Sequence, residues 1–406
     1  MTGQLPRPIQ PPPAYVRAII FVWVFVAASE NLRAEYLPYV DWLLTVPALF
    51  CLLRYGRPRL SLPQGIFLVT VGIGGCVSFH FAHAAVWVGK LCAIFLCTSC
   101  LATAPGLPQV GFQALVAAMV CNLGMLVLGR LGMPGVSELM AARGRYGTLL
   151  NHPGALWHAG MAPLAFYSYL LLHHPKSLLL SLPATVACLA IVWCDGSRTA
   201  MVLIAGFGLI LLVNALKQAP YLACGLVVLA MLAIPSLKWL EIADDNSLAR
   251  ILPVLESRRG WRETLEEWDP TRFEMIQHSC DLIADAPLLG NGFGASVVRV
   301  DVDIDSEGDM MVIHDGYLQV WGEFGLAGFL AYAALLWQWV PLACRAAPPL
   351  GVHGRAMRVN SLFLLTSFGL AQLFNPISVS WSDWMLFTIP FASLAQLSHS
   401  ETPCGS

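Results

Sequence analysis

The sequence predicts an all-α polytopic membrane protein of about twelve transmembrane helices, with one large polar loop, and three observations carry that prediction. First, 57% of the 406 residues are hydrophobic and 12% charged, at a mean hydropathy of +0.66. A soluble chain carries roughly 25% charged residues. Second, apolar runs of membrane-crossing length recur along the chain. Third, basic residues recur in alternate connections between those runs.

The runs justify themselves in order. Met1 to Pro13 is proline-rich and holds no cleavable apolar segment, so the first run is expected to persist as a helix. Spans are read near 15–29, 38–53, 63–80, 84–103, 108–129, 153–173, 177–194, 199–215, 219–239, 315–340, 357–374 and 381–398. With the N-terminus inside, the inner connections carry Arg54, Arg57 and Arg59, then Lys176, Lys217, and Arg345, Arg355 and Arg358. This register leaves both termini inside. It divides the chain into helices 1–9 over 1–239, a large outer loop over 240–313, and helices 10–12 over 314–406. The net charge of −2 conceals an asymmetry, because most acidic residues lie between Glu241 and Met311.

Twelve cysteines do not form a disulfide framework. Nearly all sit in apolar runs (Cys51, Cys76, Cys92, Cys121, Cys188), and the long loop holds only Cys280. Cys97-Thr98-Ser99-Cys100 has a redox spacing, but inside an apolar helix such small residues fill an interface.

Within the long loop, Asp269-Pro270 reads as an N-cap and first-turn proline, and Phe273, Ile276, Cys280 and Ile283 follow at helical spacing. Pro287-Leu-Leu-Gly290-Asn291-Gly292-Phe293-Gly294 ends that amphipathic helix in a glycine-rich turn. Asp301-Val-Asp303-Ile-Asp305-Ser-Glu307-Gly-Asp309 begins like a calcium loop, yet its twelfth position from Asp303 is His314 instead of glutamate. Its alternation with Val300, Val302 and Ile304 reads equally as a half-exposed strand.

His314 opens the next helix. On a helix turning 100° per residue, His314, Tyr317, Trp321, Gly325 and Gly328 share one face, polar-aromatic at its mouth and small deeper in, where another helix could pack. Glu323 then points to the opposite side. Four outer arginines, Arg143, Arg145, Arg198 and Arg272, run against the insertion bias, and an anionic substrate explains them.

The chain resembles the superfamily of O-antigen ligases (lipid A-core:surface polymer ligases) and Wzy-type polymerases. Gly196-Ser197-Arg198-Thr199 carries the likeness, with Arg272 followed by Pro287–Gly294, and His314-Asp-Gly-Tyr317-Leu-Gln with Glu323-Phe-Gly325-Leu-Ala-Gly328. Arg145-Tyr-Gly147-Thr-Leu-Leu-Asn151-His-Pro153 is a weaker fourth piece. The resemblance covers roughly 140–330; its motifs do not separate ligase from polymerase, and the compact size and single large outer loop lean toward the ligases. It implies a GT-C-like, inverting, metal-independent glycosyltransferase needing no cofactor. Such an enzyme sits in the bacterial inner membrane with its active site on the periplasmic face. Its donor is an undecaprenyl-pyrophosphate-linked glycan and its acceptor lipid A-core oligosaccharide. Nothing points to nucleic acid.

Under that resemblance, His314 is the general base, since a neutral imidazole is available near pH 7. Arg198, Arg272 and Arg145 bind pyrophosphate, for which a planar fork that stays charged near lipid is suited. Lys90, within a span, is a further candidate for phosphate contact, while Tyr317 and Trp321 line the acceptor side. For each arginine the plain alternative is a snorkelling interfacial residue or, for Arg272, an ion pair with Glu274 or Asp269. Two other functions stay open. One is polymerisation of lipid-linked repeats. The other is transport of lipid-linked sugars, although transporters usually show repeated halves that this chain lacks.

Overall fold

The computed structural model describes residues 12–29, 40–58, 60–78, 81–133, 146–151, 155–218, 270–300, 309–312, 315–338, 340–341 and 351–373, and short stretches between 384 and 396. Eleven helices are described: α1 (Ala14–Ala27), α2 (Val40–Tyr55), α3 (Leu62–Cys76), α4 (Phe81–Thr103), α5 (Leu107–Arg130), α6 (Leu156–His173), α7 (Leu178–Asp195), α8 (Arg198–Gln218), α9 (Pro270–Asp285), α10 (Gly316–Trp337) and α11 (Val352–Ala371). β1 (Val297–Val300) and β2 (Asp309–Val312) form an antiparallel hairpin in which Val297 faces Val312 and Val300 faces Asp309. The predicted run 219–239 lies outside the described residues, as does most of 381–398.

Four helices are long and apolar enough to cross a membrane: Ala84–Thr103, Leu107–Arg130, Pro175–Asp195 and Gly316–Trp337. Shorter apolar helices span Ala14–Ala27, Leu43–Tyr55, Leu62–Cys76 and Thr199–Ile210. Large apolar side chains such as Leu43, Phe50, Val69, Ile73 and Leu179 stay exposed, as expected of a lipid-facing surface. The multi-pass helical character predicted from composition is therefore present in the fold.

Two apolar clusters hold the helices together. The first joins Ile20 and Trp23 of α1, Phe67 of α3, Leu91, Ile94 and Phe95 of α4, and Tyr332 of α10. Trp23 Nε1 donates to Thr45 Oγ1 at 3.1 Å, so the indole's one polar group is satisfied inside this cluster. The second joins Met119 of α5, Leu156 and Leu164 of α6, Ile191 of α7, Leu203 of α8 and Phe363 of α11. Cys97 and Cys100 are free and buried in the first cluster, in line with their reading as interface fillers.

One polar clasp crosses this core. Asn360 of α11 donates from Nδ2 to Ala162 O at 2.8 Å and accepts the Phe166 N–H at 3.1 Å through Oδ1. Ala162 and Phe166 are the i and i+4 partners of an unbroken helix. The asparagine thus bonds both groups of one rung of α6, beside the internal Pro163.

The sequence reading of one continuous helix after His314 needs correction. Gly325 has φ 67° and ψ −172°, so α10 is two helices meeting at a sharp bend. The rings of Tyr317 and Tyr332 lie 6.0 Å apart, where a straight helix would separate the two positions by roughly 22 Å. Both arms reach the same residue of the chain after α11: Gly316 N–H donates to Gln372 O at 2.7 Å, and Tyr332 Oη donates to Gln372 Oε1 at 3.2 Å. The common face from His314 to Gly328 therefore ends at Trp321.

Candidate functional site

The bend in α10 is created by its neighbour. Where a helix stops, its last carbonyls and the first N–H groups of the next helix lose their partners, and in an apolar setting each must find another. The loop following α9 supplies them. Asn291 N–H donates to Gly322 O at 2.9 Å, Gly292 N–H to Glu323 O at 2.9 Å, and Leu326 N–H to Pro287 O at 2.9 Å. Asn291 Nδ2 adds bonds to Gly322 O at 3.0 Å and Leu282 O at 2.7 Å. A Cβ at Gly325 would fall on the carbonyl of Leu288, which is why this position carries none. A loop, not another helix, packs into the small-residue stretch.

The same loop is fixed from the other side. Phe293 N–H donates to Gly74 O at 3.1 Å, Ser78 Oγ donates to Phe293 O at 2.7 Å, and Trp87 packs on both Phe293 and Phe324. Lys90 follows Trp87 by one turn of α4 and is half-buried.

Glu323 sits at the bend, 1% exposed. Its Oε1 accepts from Ser296 Oγ and from the Ser296 N–H at 3.4 Å. Gln319 and the Gly294 backbone also face the carboxylate. Sequence reasoning discounted this residue because a continuous helix would turn it away. The flanking Gly322 and Gly325 were the available signal that the helix was not continuous.

The two aromatic candidates have committed their polar groups. Tyr317 Oη donates to Gly369 O at 2.9 Å, and Trp321 Nε1 donates to Pro287 O at 3.0 Å while its ring stacks on Phe329. What they can offer a sugar is a ring face. Asp315 caps α10 by accepting from the N–H groups of Tyr317 and Leu318, both at 3.0 Å. Burial pushes its carboxyl above the ordinary range, and those two bonds offset part of that rise.

His314 itself, together with Arg145 and most of the acidic stretch 301–309, lies outside the described residues. In the chain His314 falls between the end of β2 at Val312 and the cap at Asp315, so its anchors on both sides are known. β1 ends at Val300, and the rest of the half-exposed strand read across 300–304 lies outside the described residues. His278 Nε2 lies 3.3 Å from Ala295 O.

Arg272 lies in the first turn of α9, half-buried, on a helix packed against α10. Arg198 opens α8 directly after Ser197, whose hydroxyl accepts the Ala200 N–H at 3.4 Å. Tyr146 N–H donates to Cys194 O at 3.0 Å, which brings the segment just after Arg145 against the end of α7, four residues before Arg198. That segment is locked in place by Asn122: Thr148 Oγ1 donates to Asn122 Oδ1 at 2.6 Å, and Thr148 N–H donates to Asn151 O at 2.7 Å. Sequence reasoning missed Arg130, whose guanidinium lies 4.2 Å from the centroid of the Tyr146 ring. Its only signal was a basic residue in the last turn of an apolar helix.

Comparison with known proteins bears on this arrangement. Residues 183–333 match the O-antigen ligase family model. The matched segment runs from within α7 to within α10 and contains Arg198, Arg272, the Pro287–Gly294 loop, His314 and Glu323. No curated protein matches the chain.

Proposed function

We propose, with the O-antigen ligase match over residues 183–333 as premise, that this chain transfers an O-antigen glycan from undecaprenyl pyrophosphate to lipid A-core oligosaccharide at the periplasmic face of the bacterial inner membrane. The observation that carries the reading is the interlock of the Pro287–Phe293 loop with the bend of α10. It joins the helix bearing Arg272 to the helix that His314 precedes, so two parts of the resemblance that are distant in sequence form one body.

In this reading the acceptor hydroxyl attacks the anomeric carbon as the bond to the pyrophosphate oxygen breaks on the opposite side, inverting the configuration. His314 takes the hydroxyl proton. Negative charge collects on the departing undecaprenyl pyrophosphate, and Arg198, Arg272 and Arg145 receive it, with Lys90 as a further cation. Tyr317 and Trp321 present ring faces on the acceptor side. The chain acts without a divalent metal or cofactor, and its 240–313 segment forms the outer loop between helices 1–9 and 10–12.

The test is transfer by the purified chain in detergent or vesicles, supplied with a lipid-linked glycan and either lipid A-core or a second lipid-linked glycan. Product on lipid A-core alone supports the ligase. Product lengthened on the lipid carrier makes the chain a polymerase. Transbilayer movement of the donor with neither product would make it a transporter and end this reading.

A further inference from the structure

Arg130 ends α5 as an exposed side chain, and a basic residue there has an ordinary explanation in the negative end of the helix dipole. Its placement goes beyond that explanation. The guanidinium is drawn over the Tyr146 ring, 4.2 Å from its centroid, and lies close enough to the Cys194 thiol to act on it electrostatically. Tyr146 is itself fixed, since its N–H is bonded to Cys194 O and the residues after it are latched onto buried Asn122.

An arginine held by an aromatic face loses little rotational freedom on binding an anion, and its edge N–H donors remain available for phosphate oxygens. The turn Gly196-Ser197 then carries the chain from Cys194 to the start of α8 at Arg198. Three arginine-bearing segments that are far apart in sequence thus meet at one end of α7: the end of α5, the segment that follows Arg145, and the start of α8. The Arg130 side chain is held at this end by the Tyr146 ring.

We propose that Arg130, held in place by Tyr146, is a further pyrophosphate-binding residue, engaging a phosphate of the lipid-linked donor alongside Arg198. The proposal rests on the glycan-transfer reading above. It adds a binding residue outside the segment that matches the family.

The experiment uses the full-length chain in two arms. In the first, affinity for inorganic pyrophosphate is measured by calorimetry for wild type, Arg130→Ala, Arg130→Lys, Tyr146→Leu and Tyr146→Phe. In the second, donor and acceptor KM are measured in the transfer reaction. Loss of a charge-assisted bidentate contact should weaken pyrophosphate binding and raise donor KM about tenfold in Arg130→Ala, with acceptor KM unchanged. Arg130→Lys should recover part of the loss. Tyr146→Leu should resemble Arg130→Ala, and Tyr146→Phe, which keeps the ring, should restore affinity. Thermal unfolding of each variant identifies any that fail to fold, and Arg130→Lys then decides. Wild-type pyrophosphate affinity and donor KM in folded Arg130→Ala would overturn the proposal, as would equal changes in donor and acceptor KM. A wild-type chain that binds pyrophosphate through Arg130 yet transfers no glycan would sustain the proposal and reject the transfer reading.

Discussion

Asn291 gives both its backbone N–H and its side-chain amide to a single carbonyl, that of Gly322, at 2.9 and 3.0 Å. One residue of the loop thereby replaces the partners that Gly322 loses where α10 stops. The same amide reaches Leu282 O of α9, so Asn291 ties the helix carrying Arg272 to the bend. This explains why an asparagine lies between two glycines that let the backbone approach.

Asn291→Asp should therefore be worse than Asn291→Ala. Alanine removes two donors, at about 1–3 kcal/mol for a carbonyl left short of partners. Aspartate places an acceptor against two carbonyls and adds repulsion. Thermal unfolding in detergent should rank wild type above alanine and alanine above aspartate, and an aspartate variant as stable as wild type would remove the amide from the interlock.

Gly325→Ala should destabilise far more than Gly106→Ala, although both glycines have a positive φ, 67° and 72°. At Gly106 an alanine meets a left-handed backbone cost of roughly 1–2 kcal/mol, whereas ψ −172° places Gly325 in a positive-φ region that only glycine readily adopts. Only at Gly325 does the added methyl meet another chain segment, the Leu288 carbonyl, whereas Gly106 faces open space. Equal losses in unfolding temperature would mean the loop is not seated in the bend.

Asp315 makes a pH prediction. Its carboxyl is raised above 3.8 by burial, so the folded state favours the protonated form. The stability cost is absent below the ordinary value, builds as pH rises through the interval between the unfolded and folded values, and stays complete above it. Asparagine caps a helix about as well without a charge. Asp315→Asn should unfold at or above the wild-type temperature at neutral pH, with the difference vanishing in acid. An asparagine variant less stable than wild type at neutral pH would show that the cap needs the charge.

Asn360→Leu should be more damaging than Asn360→Ala. Leucine keeps the Ala162 carbonyl and the Phe166 N–H apart yet bonds to neither, at about 1–3 kcal/mol for each buried group. Alanine leaves room for α6 to close its own bond. Comparable unfolding temperatures for the two variants would show that α6 is not held open by the side chain.

For the proposed reaction, His314→Ala should lower the single-turnover rate by roughly 10²–10⁴ with donor affinity kept. Arg198→Lys and Arg272→Lys should lose most activity with charge retained, because a point charge does not reproduce the bidentate fork. Near wild-type transfer by folded His314→Ala would sink the base assignment. Near wild-type transfer by either lysine variant would reduce that arginine to an interfacial anchor.

The sequence by itself determined what depends on composition and local periodicity. Apolar runs give helices because every backbone group must be satisfied within its own segment. Pro270 marks the start of α9, and Gly290 to Gly294 follow its end with three positive-φ glycines. Motif spacing was enough to place Arg198 at a helix start and Arg272 in a first turn. Only the tertiary structure decided that α10 folds back at Gly325, because that bend depends on donors from Asn291 and Gly292 more than thirty residues upstream. A helical wheel assumes the unbroken helix that these long-range bonds undo. For the same reason the wheel misplaced Glu323, whose partner Ser296 lies on another element. Arg130 was equally hidden, since the Tyr146 ring reaches it through a loop that is latched onto α5 and the end of α7.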